Sequence, residues 1–124
     1  MSCVFCKYPE ADYIIENELA FAIYDKFPVN EGHMLVIPKR HFASYFEATQ
    51  KEIMAIFELT KECEEVLEKE YNPDGYNIGF NVDQAAAQTV MHLHQHIIPR
   101  YEGDIDNPRG GIRRLKKQLV YYDG

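Results

Sequence analysis

Apolar and polar positions change rhythm along this chain. Tyr13–Glu16 and Leu19–Asp25 are short runs rich in β-branched and aromatic residues, separated by Asn17-Glu18. Such side chains suit a pleated surface, and the polar break between them predicts a hairpin. His33–Pro38 (HMLVIP) predicts a third strand, entered through Pro28–Gly32 and closed by a proline. From Thr49 to Glu70 the period becomes helical. Ile53, Ile56, Phe57, Thr60, Cys63 and Leu67 share one face, and the opposite face is acidic. Thr49 followed by Glu52 is a capping box, and Asn72-Pro73-Asp74-Gly75 ends the helix. Cys63 on the apolar stripe reads as a core thiol, and Met54 and Phe57 read as core positions too. Gly75–Val82 and His92–Pro99 predict two more strands around a loop at Asp83–Gln88, and a further loop spans Gly103–Gly111. Strands, one long helix, then strands is the order of an α+β fold, a mainly antiparallel sheet covered on one face by the helix.

The length, 124 residues, predicts a single domain over residues 1–124. With 46% hydrophobic and 27% charged residues the chain is an ordinary globular one. A net charge of −7 argues against a long nucleic acid, whose binding requires Lys and Arg to neutralise phosphates. A small phosphorylated ligand needs only a few local donors and stays open. Arg100, Arg109, Arg113, Arg114, Lys116 and Lys117 make one locally basic segment, which reads equally as a solvated tail. No stretch reaches the roughly 18 apolar residues of a membrane span, and MSCVFCKYPE has no apolar signal core, so a cytoplasmic protein without membrane partners is expected. In that compartment three cysteines suggest thiolate or metal chemistry before a structural bridge.

Of the five histidines, His33, His41, His92, His94 and His96, three alternate in one run. Residues two apart on a strand share a face, so His92, His94 and His96 form a row while Leu93, Gln95 and Ile97 face the other way. Three polar rings on one face each need partners, which packing alone does not supply. The ends of the row lie roughly 13 Å apart at the strand rise, too far for one zinc with ~2.0 Å bonds to nitrogen. The row should therefore divide its labour. A neutral imidazole can attack phosphorus and form a covalent intermediate, and a second can face the phosphoryl oxygens. His94, with a neighbour on each side, is the candidate nucleophile. Cys3-Val-Phe-Cys6 has the spacing of half a tetrahedral zinc site. A redox pair and two incidental cysteines are the competing readings, although a thioredoxin-like motif should follow a strand. A zinc here would need two more ligands, and His41 and His92 are the histidines not needed for phosphate chemistry.

Gln88-Thr-Val-Met-His92-Leu-His94-Gln-His96-Ile-Ile-Pro-Arg100 resembles the core motif of the histidine-triad (HIT) superfamily, and Gly32-His33-Met-Leu-Val-Ile-Pro-Lys-Arg-His41 resembles its upstream segment. The resemblance runs from Cys3 to about Gly111. Gln88-Thr89-Val90 and Pro99-Arg100 through Gly103-Asp104 look like the fragile-histidine-triad branch, and the Cys3/Cys6 pair looks like zinc-bearing bacterial members. The resemblance implies a five-stranded, mainly antiparallel sheet with one long helix and short helical segments, usually in a homodimer that joins two sheets. It implies that His94 becomes nucleotidylated, His96 contacts phosphate, and Gln88 and Thr89 bind phosphate and assist the leaving group. Asn81 falls near the phosphates, Asp25 at the ribose hydroxyls, and Phe5 in the base pocket. Cys3, Cys6, His41 and His92 would hold one structural zinc. The implied activity is cleavage at the α-phosphate of purine nucleotide derivatives, such as diadenosine tetraphosphate or nucleoside phosphoramidates. The chain departs from the pattern at Ala87, where glycine is common, at Gln95, which replaces an apolar residue, and at Asp25, which resembles the phosphoramidase branch. Two other readings compete: a hydrolase using zinc-bound hydroxide on His92 and His94, and a nucleotide-binding partner protein without catalysis.

Overall fold

A computed structural model describes residues 3–116; Lys117 of the basic segment lies outside them. Five strands, β1 (Ile15–Glu16), β2 (Ala20–Tyr24), β3 (Met34–Pro38), β4 (Gly75–Phe80) and β5 (Gln95–Arg100), form one sheet in the order β1-β2-β3-β5-β4. Every pairing is antiparallel. Among the described residues one helix, α1 (Gln50–Glu70), and four short 3-10 turns accompany the sheet. The α+β reading and its five-stranded antiparallel sheet therefore hold.

The β1–β2 turn is organised by Asn17. Its carbonyl accepts the N–H groups of Leu19 and Ala20 at 3.2 and 2.9 Å, and its amide donates to the Ala55 carbonyl of α1 at 2.9 Å. Thr49 caps α1 as expected: its hydroxyl accepts from Glu52 N–H at 3.1 Å, and the Glu52 carboxylate accepts from Thr49 N–H at 2.9 Å. The same carboxylate takes two bonds from the Arg40 guanidinium at 2.8 and 2.9 Å. Arg40 and the Thr49 bonds together hold its pKa down at about 2.

The helix buries Ala55, Ile56, Leu59, Cys63 and Leu67 against the sheet. Met54 and Phe57 do not join them; each is 56% exposed. At about 100° per residue the buried arc centres between Leu59 and Leu67, which turns both positions away from the sheet. Phe57 instead carries the Lys61 ammonium 5.3 Å from its ring centroid. Cys63 is fully buried, as the stripe predicted, and burial pushes its thiol up to about 12. Thiolate chemistry is closed to it.

β3 reads as an unbroken apolar run because both of its faces are covered. Met34 and Val36 pack toward α1, whereas Leu35 and Ile37 join Phe5, Phe21 and Ile23 on the far side. Strand β5 is shorter than expected and begins at Gln95, three residues after His92. Upstream of it the Leu93 N–H donates to the Phe42 carbonyl at 2.7 Å, outside the ladder. The alternation nevertheless survives. Leu93 and Ile97 enter the helix-side core, and the Gln95 amide donates to the Thr60 hydroxyl on α1 at 2.7 Å. β4 likewise stops at Phe80, short of Val82. Among the described residues no helix is long and apolar enough to cross a membrane.

Candidate active site

The histidines occupy the face opposite α1, and backbone partners fix the proton on each ring. His94 Nδ1 lies 2.9 Å from the His92 carbonyl. A carbonyl only accepts, so Nδ1 holds a proton, and in the neutral ring the lone pair is on Nε2. Among the described residues no group bonds Nε2 and no buried side-chain nitrogen or oxygen is left without a partner, so this atom opens to the cavity beside it. His33 is set the opposite way. Val29 N–H donates to His33 Nδ1 at 3.0 Å, which leaves the proton of the neutral ring on Nε2. That Nε2–H reaches His96 Nδ1 at 3.0 Å, with Asp25 Oδ2 3.4 Å away. His96 Nδ1 therefore accepts, and His96 carries its proton on Nε2 as a donor. Burial lowers the His33 pKa, with Asp25 opposing. Burial, then His94 and His33, bring His96 down to about 4. Both rings are neutral near pH 7.

Gly32 aims this relay. It turns the chain into β3 at φ +88°, and a Cβ there would lie 2.9 Å from Leu67 Cδ2. No other residue fits both that backbone and that space.

A cavity of about 440 Å³ opens beside His94 and His96. That is ample for a small-molecule ligand. Phe5, Tyr8, Ile23, Leu35 and Val90 supply apolar wall, and Asp25, Asn81 and Thr89 supply polar groups. Ala87 lines it too, at φ +70°, the left-handed conformation in which glycine is the unstrained residue.

Behind the cavity Cys3, Cys6, His41 and His92 bring their ligand atoms within 4.8 Å of one another. His92 Nε2–H donates to the Pro38 carbonyl at 2.8 Å, so Nδ1 presents its lone pair to the cluster. His41 Nδ1 stands 3.0 Å from it, with Cys3 Sγ at 3.3 Å and Cys6 Sγ at 3.5 Å. Cys6 N–H donates to Cys3 Sγ at 3.3 Å. Two sulfurs and two imidazole nitrogens are a zinc donor set, and outer hydrogen bonds of this kind are what orient such ligands. The residues fit zinc. His94 stands outside the cluster, which leaves the paired His92/His94 ligation of the zinc-hydroxide reading without its geometry.

The structure thus brings Phe5, Asp25, Asn81, Thr89, His94 and His96 around one cavity, and Cys3, Cys6, His41 and His92 into one cluster. Gln88 joins neither. It is buried, its carbonyl oxygen accepts from Asp83 N–H at 2.8 Å, and its amide donates to Ala43 and Val90 carbonyls at 2.8 and 3.1 Å. Its side chain closes the Asp83–Gln88 loop from inside. Of the basic segment, Arg100 is committed to Asp104 and Asn77, and none of its described members lines the cavity. His33 had no role assigned from the sequence. Its place beside Gly32 in the upstream motif was the available signal.

The HIT domain family matches residues 8–103, and the chain belongs to it. It is 38% identical over 104 residues to the adenosine 5'-monophosphoramidase of Schizosaccharomyces pombe, covering 81% of this chain and 75% of that one. It is 34% identical over 109 residues to the bis(5'-adenosyl)-triphosphatase of Dictyostelium discoideum, covering 88% and 73%. Among solved structures, a zinc-bound histidine triad family protein from Mycobacterium smegmatis superposes with a TM-score of 0.75 at 35% identity, covering 84% of this chain and 78% of that one.

Proposed function

We propose that this chain cleaves purine nucleotide derivatives at the α-phosphate through a nucleotidyl-His94 intermediate. One observation carries the proposal: on a residue that lines the cavity, the His92 carbonyl holds the His94 proton on Nδ1, which puts the lone pair of the neutral ring on Nε2. In the first step Nε2 attacks α-phosphorus, a P–N bond forms and the bond to the leaving group breaks. The ring becomes cationic as it does so, and its Nδ1–H bond to the carbonyl strengthens. His96 Nε2–H donates to a non-bridging phosphoryl oxygen, where charge accumulates. The Thr89 hydroxyl, on the same wall, donates to the departing oxygen or nitrogen. In the second step water attacks phosphorus and passes its proton to the Thr89 oxygen, which gave one to the leaving group; the P–N bond breaks with its electron pair returning to Nε2, and a nucleoside monophosphate leaves with His94 restored. Asp25 binds the ribose hydroxyls, Asn81 the phosphates, and Phe5 the base.

The two named relatives act on a phosphoramidate and a dinucleoside triphosphate, and both substrate types share the adenosyl α-phosphate this geometry addresses. Bound zinc supplies a fixed cross-link between the N-terminal cysteines and the sheet. Two chains joined along an edge strand are the working unit of this reading, for which sedimentation should give twice 14.5 kDa. The deciding experiment is a panel of dinucleoside polyphosphates and phosphoramidates followed by phosphorus NMR, with mass spectrometry of quenched protein. Wild type should show a nucleotidyl adduct. His94→Ala should lose turnover by about 10⁴-fold or more while keeping its zinc. Full turnover by that variant would overturn the mechanism.

A further inference from the structure

Residues 3–8 are tied to the rest of the molecule in an uneven way. Within the segment, Lys7 N–H donates to the Cys3 carbonyl at 3.2 Å and Tyr8 N–H to the Phe5 carbonyl at 3.3 Å. Among the described residues, the hydrogen bonds that leave the segment all run through a cysteine sulfur: Cys3 to His92 at 3.3 Å, and Cys6 to His41 and His92 at 3.3 and 3.5 Å. Yet Val4, Phe5 and Tyr8 are cavity wall. Phe5, between the two cysteines, is 7% exposed, and its ring meets those of His92 and His94 at centroid distances of 5.8 and 5.1 Å.

We propose that Cys3 and Cys6 are positioning residues for the nucleotide: zinc on Cys3, Cys6, His41 and His92 holds Phe5 and the wall beside it in place, so that zinc and a purine nucleoside monophosphate bind cooperatively. This rests on the zinc fit and on the functional reading above. Burying the Phe5 ring, with Cys3 and Tyr8 only partly buried beside it and Tyr8 stacked on Tyr13 at 6.5 Å, returns less than it costs to order six backbone units, so packing alone does not keep the segment docked. The sulfur–metal bonds supply the difference. Without them the docked state is one of several, and apparent nucleotide affinity falls by the fraction that remains docked. The coupling is reciprocal: nucleotide tightens zinc by the same factor.

AMP is titrated calorimetrically into zinc-loaded and chelator-stripped protein, with circular dichroism recording the fold. Stripping should weaken AMP at least tenfold. Zinc affinity, read by competition with a chromophoric chelator, should rise by the same factor when AMP is saturating, a measurement that needs no folded apoprotein. Phe5→Ala should still bind one zinc, bind AMP weakly when loaded, and lose little more on stripping. Equal AMP affinity in loaded and stripped folded protein, or zinc affinity indifferent to AMP, would overturn the coupling alone. Undiminished coupling in Phe5→Ala would overturn the role given to that ring. Absence of AMP binding by loaded wild type would remove the functional reading itself, and the coupling with it.

Discussion

Two clusters share the face of the sheet opposite α1, and by distance alone they look alike. Cys3, Cys6, His41 and His92 bring their ligand atoms within 4.8 Å, and so do Asp25, His33 and His96. What separates them is the far nitrogen of each ring. In the first cluster the Pro38 carbonyl takes the His92 Nε2 proton, and the inward Nδ1 is a lone pair ready for a metal. In the second, Val29 N–H donates to His33 Nδ1, so the inward Nε2 carries the proton and donates to His96. A metal at His33 Nε2 would drive that proton onto Nδ1, against a peptide N–H. One peptide oxygen and one peptide N–H therefore divide a candidate metal site from a hydrogen-bond relay. Proximity counts ligand atoms; the outer hydrogen bond decides whether they are ligands.

The largest effect that tests this division is loss of the metal. Wild type should carry one zinc per chain, Cys3→Ser combined with Cys6→Ser none, and Asp25→Ala and His33→Ala still one, by elemental analysis. With free zinc at 100 to 1000 times its dissociation constant, the unfolding free energy should drop by about 3–4 kcal/mol in the cysteine variant. Two zincs in wild type, or loss of zinc from His33→Ala, would erase the distinction. Next in size, His33→Ala should lower turnover about 100-fold at unchanged zinc content, because His96 loses the donor that fixes its proton. Wild-type turnover from that variant would show the relay to be idle.

The smallest effect is a pH slope. His96 falls from an ordinary 6.5 to about 4 in the folded chain, so between those values the unfolded chain binds more protons. The stabilising contribution of the neutral ring is complete above pH 6.5 and is lost as pH falls toward about 4. Urea unfolding across that window should show a gentler slope for His96→Gln than for its parent. The comparison belongs on the Cys3→Ser, Cys6→Ser background, since acid also strips a thiolate–imidazole site. Parallel slopes would mean that His96 is not held neutral.

Much of this arrangement was legible in the sequence. The capping box at Thr49 and Glu52 sets the start of α1 locally, and the alternation from His92 to Ile97 assigns faces without knowledge of any partner. Long-range choices were less visible. Phe57 fits an apolar stripe at helical spacing, and only the lie of α1 on the sheet decides that it points outward. Gln88 carries the same amide whether it meets a ligand or, as here, three backbone groups of its own loop and its surroundings. The relay was hidden for a related reason: Val29 N–H is a main-chain donor, and every non-proline residue has one.

The peptide partners along the histidine row have a spectroscopic consequence. His92 carries its proton on Nε2, His94 on Nδ1 and His96 on Nε2. The tautomer inverts at each step along five residues. Nitrogen-15 NMR distinguishes a protonated ring nitrogen from a bare one, so the neutral rings of His94 and His96 should give opposite signal patterns, and His92 should match His96 in zinc-free protein. The middle ring, inverted relative to both neighbours, would report the arrival of a phosphoryl group by the change at its bare nitrogen, with no label on the nucleotide.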